Sequence, residues 1–235
     1  MISLAIGALA CQPIDMDLHE ALYTTRAMRR VKPDPIPQDV QARILDAAVR
    51  APTGGNAQGW RFMLVDDPGV KAELGPIYRS CLGQLFETIY KPRLEAAEKT
   101  PEEAESVDFM KMYRSANHLA DHFEGYPLLL FGFVQFDPTG SSIYPAIWSA
   151  MLAARAEGVG SSLTTVLMFK LQEVLKILGV PEEGGWQLSC CVTMGYPKGR
   201  WGVAPRTPVH DVSFRNRWGE PLGLEIPEPL WQQKS

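Results

Sequence analysis

The chain has 235 residues, 46% of them hydrophobic, enough to bury a sizeable core in one large domain or two small ones. A net charge of −4, a pI near 5.6 and the absence of a dense Lys/Arg face exclude the electrostatic footprint of a nucleic-acid or anionic-membrane binder. Four cysteines (Cys11, Cys81, Cys190, Cys191) without any C-x-x-C spacing argue against a disulfide framework or a zinc site and for a reducing cytoplasm.

The amino-terminal "ISLAIGALAC" is apolar and ends in cysteine, but it runs for only about ten residues with no basic region before it, too little for a signal peptide. No later segment reaches the ~18 unbroken apolar residues of a membrane-spanning helix, so a soluble protein is expected. Asp17 and Glu20 have the spacing of a capping-box variant, and Leu18, Ala21, Leu22 and Thr25 share one face of a first helix that ends in an arginine cluster. The prolines of "KPDPIP" forbid helix; Pro37 then suits a helix start, with Val40, Ile44, Ala47, Ala48 and Ala51 as the apolar stripe.

The decapeptide "APTGGNAQGW" (51–60) carries the chain into "WRFMLVD" (60–66), whose composition predicts a strand buried on both faces. That connection holds three glycines and two side-chain amides, more than a turn needs. From 68 to 125 the sequence is helical in character, and its charge run "LEAAEKTPEEAESVDF" reads as a solvated face. "YPLLLFGFVQF" (126–136) reads as a central strand. Ile143, Ile147, Ala150, Met151 and Ala154 mark a buried helix stopped by Gly158, "GSSLTTV" a short extended piece, "FKLQEVLKILGVP" a helix stopped at Gly179, and "WQLSCCVTMGYP" a last strand. Beyond Gly195 the tail combines six prolines with Trp201, Trp218 and Trp231, the signature of an extended arm laid over an apolar surface, most naturally a partner's.

The usual catalytic signatures are missing. There is no phosphate-binding P-loop and no G-x-S-x-G elbow; "GVGSSL" (158–163) follows a helix where a dinucleotide fingerprint follows a strand. His118 and His122 lie one helical turn apart without a third metal ligand, which reads as a surface pair. What remains is dispersed polarity: Arg26, Arg29 and Arg30 after the first helix, the amide-rich loop, and Arg206 in the arm. Such groups answer the needs of a flavin, with its hydrogen-bonding pyrimidine edge and its phosphate.

These segments together resemble the nitroreductase family of FMN enzymes. "TRAMRRVKPDPIP" (25–37) is similar to the family's R-R-S-x-R-x-F-x-x-x-P-V-P start, and "APTGGNAQGWRF" (51–62) to its A-P-S-x-x-N-x-Q-P-W-x-F motif. "AIWSAMLAARAEGVGSSLTT" resembles the helix and flavin-backing strand, and "MGYPKGRWGVAPRTPVHDVSFRNRWG" the closing segment, so the likeness spans about residues 18–219. Thr25 and Ala27 depart from the family's arginine and serine, and Gly59 from its proline.

The resemblance implies an α+β fold: one domain over 1–235 with a central mixed sheet flanked by helices, a helical lid insertion at about 68–125 and an arm at about 197–235. It implies an intertwined homodimer with exchanged arms and two FMN sites at the interface. Arg26, Ala27 and Arg29 meet the phosphate and the ribityl or pyrimidine edge; Thr53, Gly54 and Asn56 meet the flavin from the second motif, supported by Gln58 and Trp60. Leu163, Thr164 and Thr165 back the ring near N5, and Arg206 is a second phosphate cation. The implied reaction is ping-pong: NADPH or NADH reduces the flavin and leaves, and a small electron-poor aromatic acceptor, a nitroaromatic or a quinone, follows. The cofactor carries the hard chemistry, so no catalytic side chain and no metal ligand are expected. A reductive dehalogenase, a flavin-fragmenting synthase and a non-catalytic flavin binder share the same shell and stay open. Of the insertion's Tyr78, Phe86, Tyr90, Phe109, Tyr113 and Phe123, one or two are expected to line the pocket and the rest to pack in the core.

Overall fold

In the computed structural model, which describes residues 16–232, the first helix, α1 (Leu18–Thr24), begins where Asp17 accepts hydrogen bonds from the backbone N–H groups of His19 and Glu20. Glu20 does not turn back to complete the expected capping box. Its carboxylate goes instead to Arg155, 2.9 Å away, because a buried guanidinium depends on a counter-charge more than a hydrated helix end does. Ala21, Thr24 and Thr25 face inward, whereas Leu18 and Leu22 of the expected stripe are exposed. The apolar amino-terminal stretch with Cys11 lies outside the described residues.

Helix α2 (Gln38–Ala48) starts directly after Pro37 and buries Val40, Ile44 and Ala48. Strand β1 (Trp60–Val65) leads into three helices, α3 (Pro68–Glu87), α4 (Lys91–Lys99) and α5 (Ala104–Asp121), before strand β2 (Leu128–Val134). Then come α6 (Ile143–Ala156), β3 (Gly160–Thr164), α7 (Leu171–Ile177) and β4 (Gln187–Gly195). Gly158 and Gly179, both at positive φ, end α6 and α7 as the sequence indicates.

The sheet order is β1–β2–β4–β3, every strand pair antiparallel; the parallel pairing among the described residues is the single bridge between Ala27 and Ser161 at the β3 edge. The expectation that β1 is buried on both faces is corrected. It is an edge strand with one neighbour, and its middle residues are half-buried despite their apolar composition. β2, fully buried, sends Leu129, Phe131 and Phe133 to one face and Leu128, Leu130 and Val134 to the other, as a two-residue side-chain period dictates. The first set packs under the α3–α5 insertion with Leu74, Phe123 and Leu119; the second packs under α2 and α6 with Ile44, Ile147 and Ala150. Two helical layers therefore sandwich one sheet.

Past β4 the chain runs back along the segment that follows α1. Lys32 N donates to Tyr196 O at 2.7 Å and Lys198 N to Arg30 O at 2.9 Å, with a bridge between Val31 and Pro197. The arm then crosses its own chain's α1: Ala204 N donates to Tyr23 O at 3.0 Å, and Trp231 packs on Tyr23 at 5.7 Å between ring centroids. Among the described residues no helix is long and apolar enough to cross a membrane.

Candidate functional site

Residues 26–31 are held extended between two backbone ladders. On one side Met28 N donates to Ser161 O at 2.9 Å; on the other the 196–198 segment pairs with Arg30 and Lys32. Gly160 makes the first contact possible, since a Cβ there would sit 2.8 Å from Met28 Cβ and 3.1 Å from Pro197 Cγ. Tyr126 fixes the same segment by donating its phenol to Arg29 O at 2.6 Å. A backbone pinned this way aims its side chains rigidly.

Those side chains form a cationic cleft of about 410 Å³ walled by Arg26, Ala27, Arg29, Arg30, Ser115, Lys198 and Arg200. Arg26 Nη2 donates to Arg200 O at 3.2 Å, and Arg29 Nη1 to Ser115 Oγ at 3.4 Å. None of the five cations pairs with a carboxylate among the described residues, whereas Arg43, Arg79 and Arg155 all do. Burial and the positive charge of His122, Arg30 and Lys198 hold the His118 imidazole below its ordinary pKa. Such a cleft suits an anion, because charge-assisted bonds to it are gained without breaking internal ion pairs.

Arg29 also lines an adjoining cleft of about 210 Å³. One wall is the end of β3, with Ser162, Leu163, Thr164 and Thr165; the other is the insertion, with Tyr78, Leu82, Phe86 and Tyr90. Tyr78 donates to Thr164 Oγ1 at 3.2 Å and stacks on buried Phe123. Burial pushes the Tyr78 phenol up to about 12, so it is a neutral donor at neutral pH. Ser162, 1% exposed on the same wall, has a hydroxyl with no hydrogen-bond partner among the described residues, and Leu163 stands 37% exposed at its edge. An unsatisfied buried hydroxyl beside an apolar rim and a nearby guanidinium fits a flat polar ligand better than bulk solvent. Of the six aromatics of the insertion, Tyr78, Phe86 and Tyr90 line this cleft, while Phe109 and Phe123 are buried in the core and Tyr113 packs edge-on against Phe86.

The single chain thus brings Arg26, Ala27 and Arg29 together with Leu163, Thr164 and Thr165. It does not bring Thr53, Gly54, Asn56 or Arg206 to them. Thr53 and Gly54 border a cavity of about 480 Å³ with Gln135 and Asp137, beside β1 at the other edge of the sheet. Three strand spacings separate β1 from β3, about 14 Å. In the loop Gly55, Asn56 and Gln58 all have positive φ, Gln58 N donates to Thr53 Oγ1 at 3.2 Å, and Gln58 Nε2 to Asn56 Oδ1 at 3.1 Å. Nothing lies within 4 Å of where a Cβ would stand on Gly54 or Gly59, so the chain's own packing does not demand those glycines. Arg206 is exposed in the arm, its Nη1 donating to Pro205 O at 2.8 Å with no other hydrogen-bond partner among the described residues, beside a cavity of about 470 Å³ bordered by Tyr23 and Ile226.

Sequence reasoning missed Lys198, Arg200 and Ser115 in the cationic wall and the tie between Tyr78 and Thr164. "KGR" (198–200) was visible as basic, but its pairing with residues 26–32 is a contact between chain ends that no local spacing encodes. The His118 and His122 rings lie 4.2 Å apart, and among the described residues no third potential ligand joins them.

The family model described as the nitroreductase family matches residues 22–196. The chain belongs to the nitroreductase family. Among curated relatives, a Thermus thermophilus NADH dehydrogenase is 26% identical over 84% of this chain and 95% of its own length, and a Rhodobacter capsulatus 5,6-dimethylbenzimidazole synthase is 28% identical over 77% and 84%. The solved FMN-dependent nitroreductase NfnB of Mycobacterium smegmatis, in complex with NADPH, shares the fold with a TM-score of 0.61 at 20% identity, over 84% of this chain and 97% of that one. The matched span contains the whole lining of the smaller cleft and all of the cationic cleft but Lys198, Gly199 and Arg200, which lie just beyond it.

Proposed function

We propose that this nitroreductase-family chain is an FMN-dependent oxidoreductase that draws electrons from NADPH or NADH and passes them to a small, electron-poor aromatic acceptor, a nitroaromatic or a quinone. The observation that carries the reading is Arg29, shared by an unneutralised cationic cleft and a hydroxyl-lined cleft roofed by aromatics. A phosphate at one end and a flat ring at the other need that adjacency.

Arg26, Ala27 and Arg29 would hold the phosphate end, with Arg206 supplied from the arm; Leu163, Thr164 and Thr165 would back the ring. FMN, when bound, supplies hydride acceptance from the nicotinamide and electron delivery to the acceptor. The chain's own work is electrostatic and spatial. Arg29 is a fixed cation where negative charge would gather, held by Tyr126 at its carbonyl. Tyr78, Phe86 and Tyr90 exclude water and offer flat surface to an aromatic acceptor.

Because Thr53, Gly54 and Asn56 sit at the opposite sheet edge, a site using both motifs needs a second copy. We therefore propose a homodimer in which these loop residues come from the partner subunit, across exposed apolar groups such as Phe136, Trp148 and Phe169. A cytoplasmic setting suits the three buried free thiols, Cys81, Cys190 and Cys191.

The test is the absorption spectrum of the purified protein before and after NADPH. A flavin spectrum that bleaches with NADPH or NADH and returns on adding a nitroaromatic or a quinone supports the reading. A yellow protein bleached by neither nucleotide sinks the reductase, and a colourless one that takes up no FMN sinks the flavin site.

A further inference from the structure

Arg155, near the end of α6, is the one arginine among the described residues that is buried, its side chain 5% exposed. Burying a guanidinium costs more than burying an aliphatic chain of similar size, so packing alone does not call for it. Its bonds are specific. Nε donates to Thr24 Oγ1 at 2.7 Å, Nη2 to Glu20 Oε1 at 2.9 Å, and its flat face lies 4.1 Å from the centre of the Trp201 ring. Thr24 in turn donates to Glu20 O at 2.6 Å. Burial alone pushes the guanidinium's pKa down, and Glu20 opposes that shift, so it stays charged.

The partners of this one group come from the segments that adjoin both walls of the cationic cleft, without lining it themselves. Thr24 ends α1 two residues before Arg26, and Trp201 follows Arg200, whose carbonyl accepts from Arg26 Nη2. α1 and the arm are also tied by Ala204 N donating to Tyr23 O and by Trp231 packing on Tyr23, but neither tie reaches Arg26 or Arg200. Arg155 belongs to neither segment; it stands on the rigid core helix between them and grips each with a different kind of interaction.

We infer that Arg155 is a positioning residue that acts through Thr24 and Trp201 to set Arg26 and the Arg200 segment at the separation that seats a phosphate monoester. The inference rests on the flavin reading above and names a residue that touches no ligand. A clamp that serves the phosphate end alone makes a sharper demand than a structural arginine: loosening it must weaken binding of the phosphorylated flavin and spare the unphosphorylated one.

The experiment titrates FMN and riboflavin into the full-length chain stripped of flavin, reading flavin fluorescence, for wild type, Trp201→Ala, Trp201→Phe and Arg155→Met. The expected result is an FMN Kd raised about tenfold in Trp201→Ala and Arg155→Met, riboflavin Kd unchanged, and Trp201→Phe within about twofold of wild type because phenylalanine keeps a ring face for the cation. Should Arg155→Met fail to fold, Trp201→Ala, on a half-buried arm residue, decides. Equal losses for both flavins mean a general structural role and overturn the inference, as do variants that bind FMN like wild type. A wild type that takes up neither flavin sinks the functional reading and this inference together, whereas a wild type that prefers FMN beside unaffected variants sinks the inference alone.

Discussion

The phenol of Tyr78, on the first helix of the insertion, donates to the Thr164 hydroxyl 3.2 Å away at the end of β3. This bond ties the insertion to the sheet edge that forms the other wall of the candidate site. Thr164 Oγ1 also accepts from Val166 N–H at 3.4 Å, so both of its lone pairs are engaged.

Alkaline stability reads out that buried phenol. Burial raises the Tyr78 pKa from 10.0 to about 12, with the bond to Thr164 acting the other way. A raised pKa means stability that is intact below pH ~10 and lost as pH climbs through about 12, because the unfolded chain deprotonates first. Between pH 8 and 11 wild type should therefore lose about 1.4 kcal/mol more than Tyr78→Phe, measured by urea unfolding at both pH values. Cys190 is also raised by burial and contributes equally to both proteins, whereas Tyr126 is raised by burial and in part by Tyr78 itself, so its smaller rise in Tyr78→Phe adds to the difference in the same direction. Parallel pH profiles for the two would show that the phenol is not buried as described.

Gly160→Ala tests the close approach that builds the cationic wall. The new Cβ would stand 2.8 Å from Met28 Cβ, which cannot move without its own backbone, and 3.3 Å from the Gly195 carbonyl oxygen, so there is little room to yield. Overpacking of this kind costs about 1–3 kcal/mol. Chemical denaturation should show that loss, and FMN titration should show weaker binding as residues 26–31 move off β3. A variant as stable as wild type would mean that the segment is loosely held.

Much of the fold was legible in the sequence, and the exceptions share a physical cause. α6 could be read because Ile143, Ile147, Ala150, Met151 and Ala154 all bury at helical spacing, and β2 because a fully buried strand is an unbroken apolar run. β1 misled because an apolar run of six residues looks the same on an edge strand as on a central one; which it is depends on strand order, which composition does not carry. In the candidate site, the arginines and Thr164 came from motif likeness. Tyr78 entered only as one of six insertion aromatics, and Lys198, Arg200 and the bond from Tyr78 to Thr164 were missed, since they depend on pairings across more than 80 residues that no local pattern carries.

Arg26→Gln and Arg206→Ala rank the cations proposed for the phosphate. Arg26 lines the cleft and anchors to Arg200 O, so its loss should raise the FMN Kd by roughly tenfold or more, as for a charge-assisted bond of about 1.5–3 kcal/mol. Arg206 lies two residues beyond Ala204, which is bonded to Tyr23 at the end of α1, so it should contribute in the same direction but less. Fluorescence titration at two salt concentrations checks both, since removing a phosphate contact also flattens the salt dependence. An Arg26→Gln protein with wild-type affinity would remove that residue from the phosphate site.

Subunit mixing tests the division of the site between copies. Arg26 stands near β3 and Asn56 in the loop before β1, on opposite edges of the sheet. If one site takes Arg26 from one subunit and Asn56 from the other, Arg26→Ala and Asn56→Ala homodimers should each bind FMN weakly. Unfolding the two together and refolding them makes mixed dimers, in which one site carries both substitutions and the other carries neither. With free reassortment about a quarter of all sites should then recover wild-type affinity, as two-fold symmetry requires. Sedimentation would show a dimer throughout. A monomer, or a mixture that recovers no tight sites, would require both motifs to meet within one chain, which the strand order β1–β2–β4–β3 opposes.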